Sequence, residues 1–251
     1  MIRPVKASDF KALHRIDPFY PRVLSLYESY GTGYDFADFW TQEDDGEAIA
    51  LISRFEDKFS LFLTEKTALD EVAAFLRFQG ANAVMFDSGF DLEIPAENAV
   101  SGDVLRYCGE DYDSDLEIYE PDFSDVYTLL LTCESEIFRV PPKLSFLSDV
   151  THRKNLGKCV TIGTAVGDRL ASSVMTVSET ESAAIIGAVA THPDCRRRGL
   201  SRELVRTLAC RIRAQGRAVY VFSASGQNTR FYQNSGFAIC AEFTELLGSL
   251  S

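Results

Sequence analysis

Long apolar runs are missing from this chain of 251 residues, and so are paired cysteines and clustered histidines. No stretch approaches the roughly 18 uninterrupted apolar residues of a membrane span. The opening Met1-Ile2-Arg3-Pro4-Val5-Lys6 lacks the apolar core of a secretory signal, so the expectation is a cytoplasmic protein with no membrane partner. The six cysteines (108, 133, 159, 195, 210, 240) contain no C-x-x-C pair, and none falls in the first 107 residues, which excludes a disulfide framework. The three histidines (14, 152, 192) lie far apart and away from any paired cysteine, so no metal site is expected.

What is present suits a globular chain. Apolar residues make up 46% and charged residues 25%, enough to bury a core. At roughly 100–200 residues per domain the length suits two domains. Charge divides the chain the same way: residues 1–125 carry a net −17 and residues 126–251 a net +5. Between Glu110 and Asp125 stand eight acidic residues, no basic one, and Pro121. That segment reads either as a solvated linker or as an acidic wall beside a site for a basic molecule. The expected division is therefore residues 1–122 and 123–251.

Hydrophobic periodicity places the elements. In the acidic half, Glu47 to Ser53 and Lys58 to Thr64 form a hairpin, Thr67 caps a helix carrying Leu69, Val72, Ala73 and Leu76 to Gly80, and Ala83 to Phe86 is a strand. In the basic half, a helix over Ser148 to Asn155 precedes three strands, Cys159 to Val166, Leu170 to Ser178 and Ala183 to Thr191. A long helix then carries Leu204, Val205, Leu208, Ala209 and Ile212 to Gly216, and Ala218 to Phe222 is a buried strand. A short helix over Asn228 to Asn234 and a last strand from Phe237 to about Leu246 complete the half. The expected class is α+β with a mixed sheet.

The most specific local signal joins the third of those strands to the long helix. A strand ending in Val189-Ala190-Thr191 leads through Arg196-x-x-Gly199-x-Ser201 into the helix, whose first-turn N–H groups converge on one point and attract anions. Gly199 lets a phosphate approach the backbone closely, and Ser201 is small. Eight arginines between 196 and 217 face a single acid, Glu203, so a polyanionic ligand is expected. The loop lacks the Gly-Lys-Ser/Thr of a Walker loop and the Gly-x-Gly-x-x-Gly of a dinucleotide site.

The run VATHPDCRRRGLS (189–201), followed by NTRFYQNSGF (228–237), resembles the GNAT N-acetyltransferases, whose cofactor loop reads Arg/Gln-x-x-Gly-x-Gly/Ala. Ser201 departs from that pattern. The resemblance covers roughly residues 125–250 and implies the GNAT fold there, with acetyl-CoA as co-substrate and no metal. It places the pyrophosphate on the amides of about Arg197, Arg198, Gly199, Leu200 and Ser201, with the charges of Arg196, Arg197 and Arg198 beside it, and the pantetheine arm along Val189 and Thr191. Asn228 would assist that arm, and Tyr232 would sit near the sulfur. The acidic half resembles a degenerate GNAT unit, as in tandem members related to glycine N-acyltransferase and the FR47-like group, with no second cofactor because its helix lacks an Arg-x-x-Gly entry.

Acetyl transfer to an amine needs a neutral amine, donors for the carbonyl oxygen, and a proton for the departing thiolate. Tyr232 is the candidate catalytic proton donor. No carboxylate lies between Ala183 and Thr191, which leaves Glu179, Glu181, water, or a carboxylate of the acidic half as the base. His192, Cys195 and Cys210 read as structural. The expected acceptor is a primary amine of a small molecule, cationic if the acidic segment lines the site. The alternatives are a non-catalytic acyl-CoA-binding module and an acyltransferase acting on an amino acid or a protein N-terminus. Nucleic-acid binding by the arginine-rich helix is disfavoured by a pI of about 4.8. The only protein partner allowed for is a second copy in a homodimer.

Overall fold

Three antiparallel strands, a helix and a parallel strand recur in both halves of the chain, each set built from its own apolar pattern. The computed structural model describes residues 1–135, 138–224 and 226–248. It divides into two compact units that are not consecutive in sequence. The first comprises Met1–Val104, Phe222–Gly226 and the chain from Ile239 on; the second comprises Leu105–Val221 and Gln227–Ala238.

In the first unit, β1 (Ile2–Pro4), α1 (Ala7–Ala12) and α2 (Tyr20–Tyr30) precede the antiparallel strands β2 (Ala37–Asp44), β3 (Glu47–Phe55) and β4 (Lys58–Phe62). Then come α3 (Leu69–Phe78), β5 (Ala83–Asp87) and β6 (Asn98–Tyr107). β5 runs parallel to β4 for three residue pairs, Lys58↔Ala83 to Ser60↔Met85. The hairpin, helix and strand lie where periodicity predicts them. The cap is a correction. Ala68 occupies the N-cap position, and the Thr67 hydroxyl instead accepts from the Thr64 amide at 2.9 Å and donates to the Ile49 carbonyl at 3.3 Å. The last strand of the chain, β11 (Phe237–Leu247), pairs with β5 from Phe243↔Asp87 to Leu247↔Ala83. A cut at 122/123 therefore does not describe the units. The C-terminal strand completes the first unit's sheet, because the edge of β5 needs a hydrogen-bonding neighbour.

The second unit holds α4 (Phe123–Leu131), α5 (Lys143–Asn155), β7 (Thr161–Val166), β8 (Arg169–Glu179), β9 (Ala183–Thr191), α6 (Leu200–Arg213), β10 (Ala218–Ser223) and α7 (Gly226–Gln233). Strands β7, β8 and β9 are antiparallel, and β10 runs parallel to β9. Helix α6 buries Leu204, Val205, Leu208 and Ile212 against the sheet, at roughly 1.5–3 kcal/mol each. Helices α4 and α5 supply Val126, Leu130, Phe146 and Val150 to a separate cluster with Met175 and Ala190.

The acidic segment is no linker. Residues 111–118 alternate strictly, with Asp111, Asp113, Asp115 and Glu117 exposed and Tyr112, Ser114, Leu116 and Ile118 half-buried. The segment lies along α6 as an extended strap running from the helix's C-terminus to its N-terminus. Asp111 pairs with Arg213, the Tyr112 ring lies 3.7 Å under the Arg206 guanidinium, Ser114 Oγ donates to Glu203 at 3.2 Å, and Leu116 packs on Leu200 and Cys195. Tyr119 then exchanges backbone hydrogen bonds with Gly163 on β7.

Candidate active site

The loop before α6 is shaped by two residues with positive φ, Arg197 at +62° and Gly199 at +81°. Gly199 is the N-cap, and Leu200 behind it anchors the helix start on Cys195 and Ala171. Among the described residues, the backbone N–H groups from Arg197 to Arg202 donate to nothing, whereas the Glu203 amide already reaches Gly199 O at 3.1 Å. Six unsatisfied donors at the positive end of a 14-residue helix make a cradle for an anion. A Cβ at Gly199 meets no atom within 4 Å, so space is open at that point. Arg196 donates through Nε to Thr191 O at 3.2 Å and Arg198 through Nη2 to Asp194 O at 3.4 Å, so these two also hold the loop in shape. The side chains of Arg197 and Arg202 are free among the described residues.

Strand β9 opens next to this loop. Its pairing with β10 ends at Ile186↔Val221, which leaves the edge from Gly187 to Thr191 without a β10 partner. On its other side, three steps of β9 (Gly187 to Ala190) oppose two steps of β8 (Ser173 to Met175), and Ala188 takes φ +46°. This is a β-bulge, and it turns the backbone of Val189 away from regular pairing. The strand end is pinned by Ser172 Oγ, which donates to Ala190 O at 2.9 Å and lies 2.9 Å from Thr191 Oγ1. An extended chain with its own amides can add to such an edge.

Tyr232 lies on α7 within the same apolar cluster as Val189, Leu204 and Val205, with its ring against Phe231 and Phe237. Its hydroxyl makes no hydrogen bond among the described residues, and burial pushes the phenol up to about 12. It is therefore protonated at neutral pH and uncommitted. Asn228, exposed and four residues earlier, shares that face of the helix. The structure thus gathers Val189 and Tyr232 into one cluster and Arg196 through Ser201 into one loop that follows β9.

Other candidates are placed elsewhere. Glu179 is buried and holds Arg217 at 2.7 Å while accepting from Thr176 Oγ1 at 2.6 Å. Both Glu179 and the exposed Glu181 stand before the first residue of β9, about 26 Å along the strand from Thr191 at 3.3 Å per residue. Glu179 is committed to Arg217, and the loop before α6 follows the opposite end of the strand. His192 Nδ1 accepts from the Asp194 amide at 3.3 Å and so caps the single 3₁₀ turn Pro193–Cys195. Cys195 is core, and Cys210 Sγ lies 3.1 Å from Tyr107 Oη. Among the described residues no group of three or more metal-binding side chains comes together. The strap that suggested a cationic acceptor spends Asp111 on Arg213 and follows α6, so it gives no ground for the acceptor's charge.

Sequence reasoning missed two features here. Cys133, at the end of α4, lies 3.6 Å from Thr191 O and 3.8 Å from Arg196 Nη2. The bulge at Ala188 follows Gly187, and a glycine inside an apolar strand is the one local signal that could have found it. In the first unit the corresponding helix start is already satisfied. Gln42 Oε1 accepts from the Ala68 amide at 2.9 Å, Asp70 and Glu71 occupy the first turn, and Glu71 takes the chain's N-terminal ammonium at 3.1 Å. That turn presents negative charge and offers an anion nothing comparable to the α6 loop.

Comparison with known proteins agrees with this geometry. Residues 149–240 match the family profile described as acetyltransferase (GNAT) domain. No curated protein sequence matches the chain. Among solved structures, a GNAT-family acetyltransferase from Colwellia psychrerythraea superposes with a TM-score of 0.61 at 10% identity, covering 99% of this chain and 100% of that one. A tandem GNAT protein from the clavulanic acid biosynthesis pathway gives 0.59 at 13% identity, over 100% and 98%. A GNAT N-acetyltransferase from Sphaerobacter thermophilus gives 0.59 at 13%, over 100% and 95%. At these identities the likeness is one of fold, and it extends across both units. Residues 149–240 thus match the GNAT acetyltransferase domain profile, and the fold along the whole chain is similar to that of a tandem GNAT protein.

Proposed function

We propose that this protein transfers an acetyl group from acetyl-CoA directly to a primary amine of a small molecule, with all of the chemistry in the second unit. The observation that carries the proposal is the conjunction, in one unit, of six unsatisfied amides at the start of α6, the unpaired edge of β9 beyond Ile186, and an uncommitted Tyr232 hydroxyl. The donors fit a pyrophosphate, and the free edge fits an amide-bearing arm, so the residues present suit a CoA thioester. Bound there, acetyl-CoA supplies the activated carbonyl. Arg197 to Ser201 would hold its phosphates, and the backbone at Val189 and Thr191 would hold the arm.

The neutral amine attacks the thioester carbon, forming the C–N bond as the C–S bond breaks, and the leaving sulfur takes a proton. Tyr232 would donate that proton. Its raised pKa does not oppose this, because burial raises a thiolate expelled beside it as well. Strand β9 carries no carboxylate to collect the amine's proton, which leaves that proton to water or to a carboxylate of another element. The testing experiment is thiol release from acetyl-CoA across a panel of amines, amino acids and N-terminal peptides, with parent and Tyr232→Phe compared. Thiol release with any primary amine, lowered in the variant, supports the proposal. Tight acetyl-CoA binding without turnover on any acceptor assigns the protein to the non-catalytic class instead.

A further inference from the structure

The first unit contains an unexplained buried charge. Arg22, in the first turn of α2, makes no side-chain hydrogen bond and no ion pair among the described residues, and its Nε is buried without a partner. Its guanidinium carbon stands 4.9 Å from the centroid of the Phe222 ring, which lies 5.5 Å from the Phe243 ring on β11. Directly across from Phe243 in the sheet register is Asp87, and two residues further along β11 is Glu245, so both carboxylates share the sheet face of Phe243. Asp17, whose Oδ1 accepts from the Phe19 and Tyr20 amides, enters the same neighbourhood. Burial raises its carboxyl, and the charge of Asp87 adds to that. Burial pushes the Arg22 guanidinium down, and Glu245 is the charge that opposes it. Arg22 and Glu245 thus act on each other without an ion pair among the described residues, and the guanidinium fork keeps its donors for another partner.

We infer that Arg22, Glu245 and Asp87 form a binding site for a small zwitterion carrying both a carboxylate and a primary ammonium, with α-amino acids as the simplest class. The guanidinium has five donors in a fork that matches a carboxylate, and none of them is used. The carboxylates of Glu245 and Asp87 accept from an ammonium, and the Phe222 and Phe243 rings flank the carbon skeleton between the two charges. A simple anion meets three carboxylates here and a simple cation meets Arg22, so only a ligand bearing both charges is matched throughout. Arg22 as a whole is half-buried, which leaves the face reachable. The site lies wholly in the first unit and does not rest on the acetyl-transfer reading.

The test is calorimetric and thermal-shift titration of the full chain, without acetyl-CoA, using glycine, L-leucine and L-lysine, with propionate and n-propylamine as single-charge controls. At least one amino acid should bind and raise the melting temperature, and neither control should do so at the same concentration. Arg22→Met and Glu245→Gln should each weaken that binding at least tenfold, Arg22→Lys less, and Gly199→Glu not at all. If no amino acid binds the parent, or if binding survives Arg22→Met unchanged, the inference fails. Should Arg22→Met not fold, the decision rests on Arg22→Lys and Glu245→Gln, and unchanged binding in both overturns it.

Discussion

Gly199 allows backbone strain and charge to be separated at the anion cradle. It caps α6 at φ +81°, and an added Cβ touches nothing within 4 Å. Gly199→Ala therefore costs only the left-handed conformation, about 1 kcal/mol. For a chain of this size that lowers the melting temperature by roughly 2–4 °C and leaves the free amides in place. Gly199→Glu carries the same strain but adds a carboxylate at a helix N-terminus, where the dipole returns about 0.3–1 kcal/mol to the fold. That carboxylate also occupies the place of the pyrophosphate. Two like charges about 4 Å apart repel by about 1 kcal/mol in water and about 4 kcal/mol at the effective dielectric of a protein surface. The corresponding loss in acetyl-CoA affinity is roughly 5- to 1,000-fold, larger at low ionic strength. Calorimetric titration of acetyl-CoA into the parent and both variants, alongside melting curves, reads both quantities. The alanine variant should bind within about threefold of the parent and the glutamate variant within the stated range. A glutamate variant that binds like the parent refutes the cradle; an alanine variant as weak as the glutamate one refutes the charge argument.

Four further outcomes are expected. Tyr232→Phe should leave acetyl-CoA affinity unchanged and lower kcat by roughly 10²- to 10⁴-fold, and equal turnover where chemistry limits the rate removes Tyr232 from the mechanism. Because burial raises the Tyr232 phenol to about 12, the pH profile should climb as the acceptor amine deprotonates and show no falling limb below about pH 10; a falling limb near neutrality that disappears in the phenylalanine variant contradicts this. Glu179→Gln removes the charge opposite the half-buried Arg217, which keeps Gln215 and the Ala183 carbonyl as acceptors, and should destabilise the second unit by about 1–3 kcal/mol, seen by denaturant unfolding, with kcat of the folded protein preserved. Charge reversal of the exposed Asp113, Asp115 and Glu117 to lysine should leave the melting temperature nearly unchanged and tighten acetyl-CoA binding at low salt only, because the strap runs toward the N-terminal turn of α6. An altered KM for a cationic acceptor would instead return the strap to the acceptor site.

Much of the second unit was legible because its signals are local. Residues 183–191 form the strand that an apolar run bounded by turn chemistry predicts, and α6 follows its apolar stripe to within a turn. The Arg-x-x-Gly-x-Ser run locates the anion cradle because a helix start needs only its own N–H groups to act. The strap was legible too, through the alternation from Asp111 to Ile118, but its net charge drew attention away from its period. The N-terminal forty residues resisted reading, since α1, α2 and β2 are defined by aromatic packing of Phe10, Tyr20, Tyr27 and Phe39 rather than by periodicity.

By itself the sequence determined most of the second unit's element order, the Arg-x-x-Gly-x-Ser entry to α6 and the match to the GNAT acetyltransferase domain profile, all of which depend on neighbours a few residues apart. Only the tertiary structure decided that the strand after Phe237 completes the first unit, that Glu179 belongs to Arg217 and not to the reaction, and that the pairing of β9 with β10 stops at Ile186 to leave an open edge. Each of these depends on contacts between residues far apart in the chain, whose partners are chosen by sheet register and burial, and neither leaves a local mark in the order of amino acids.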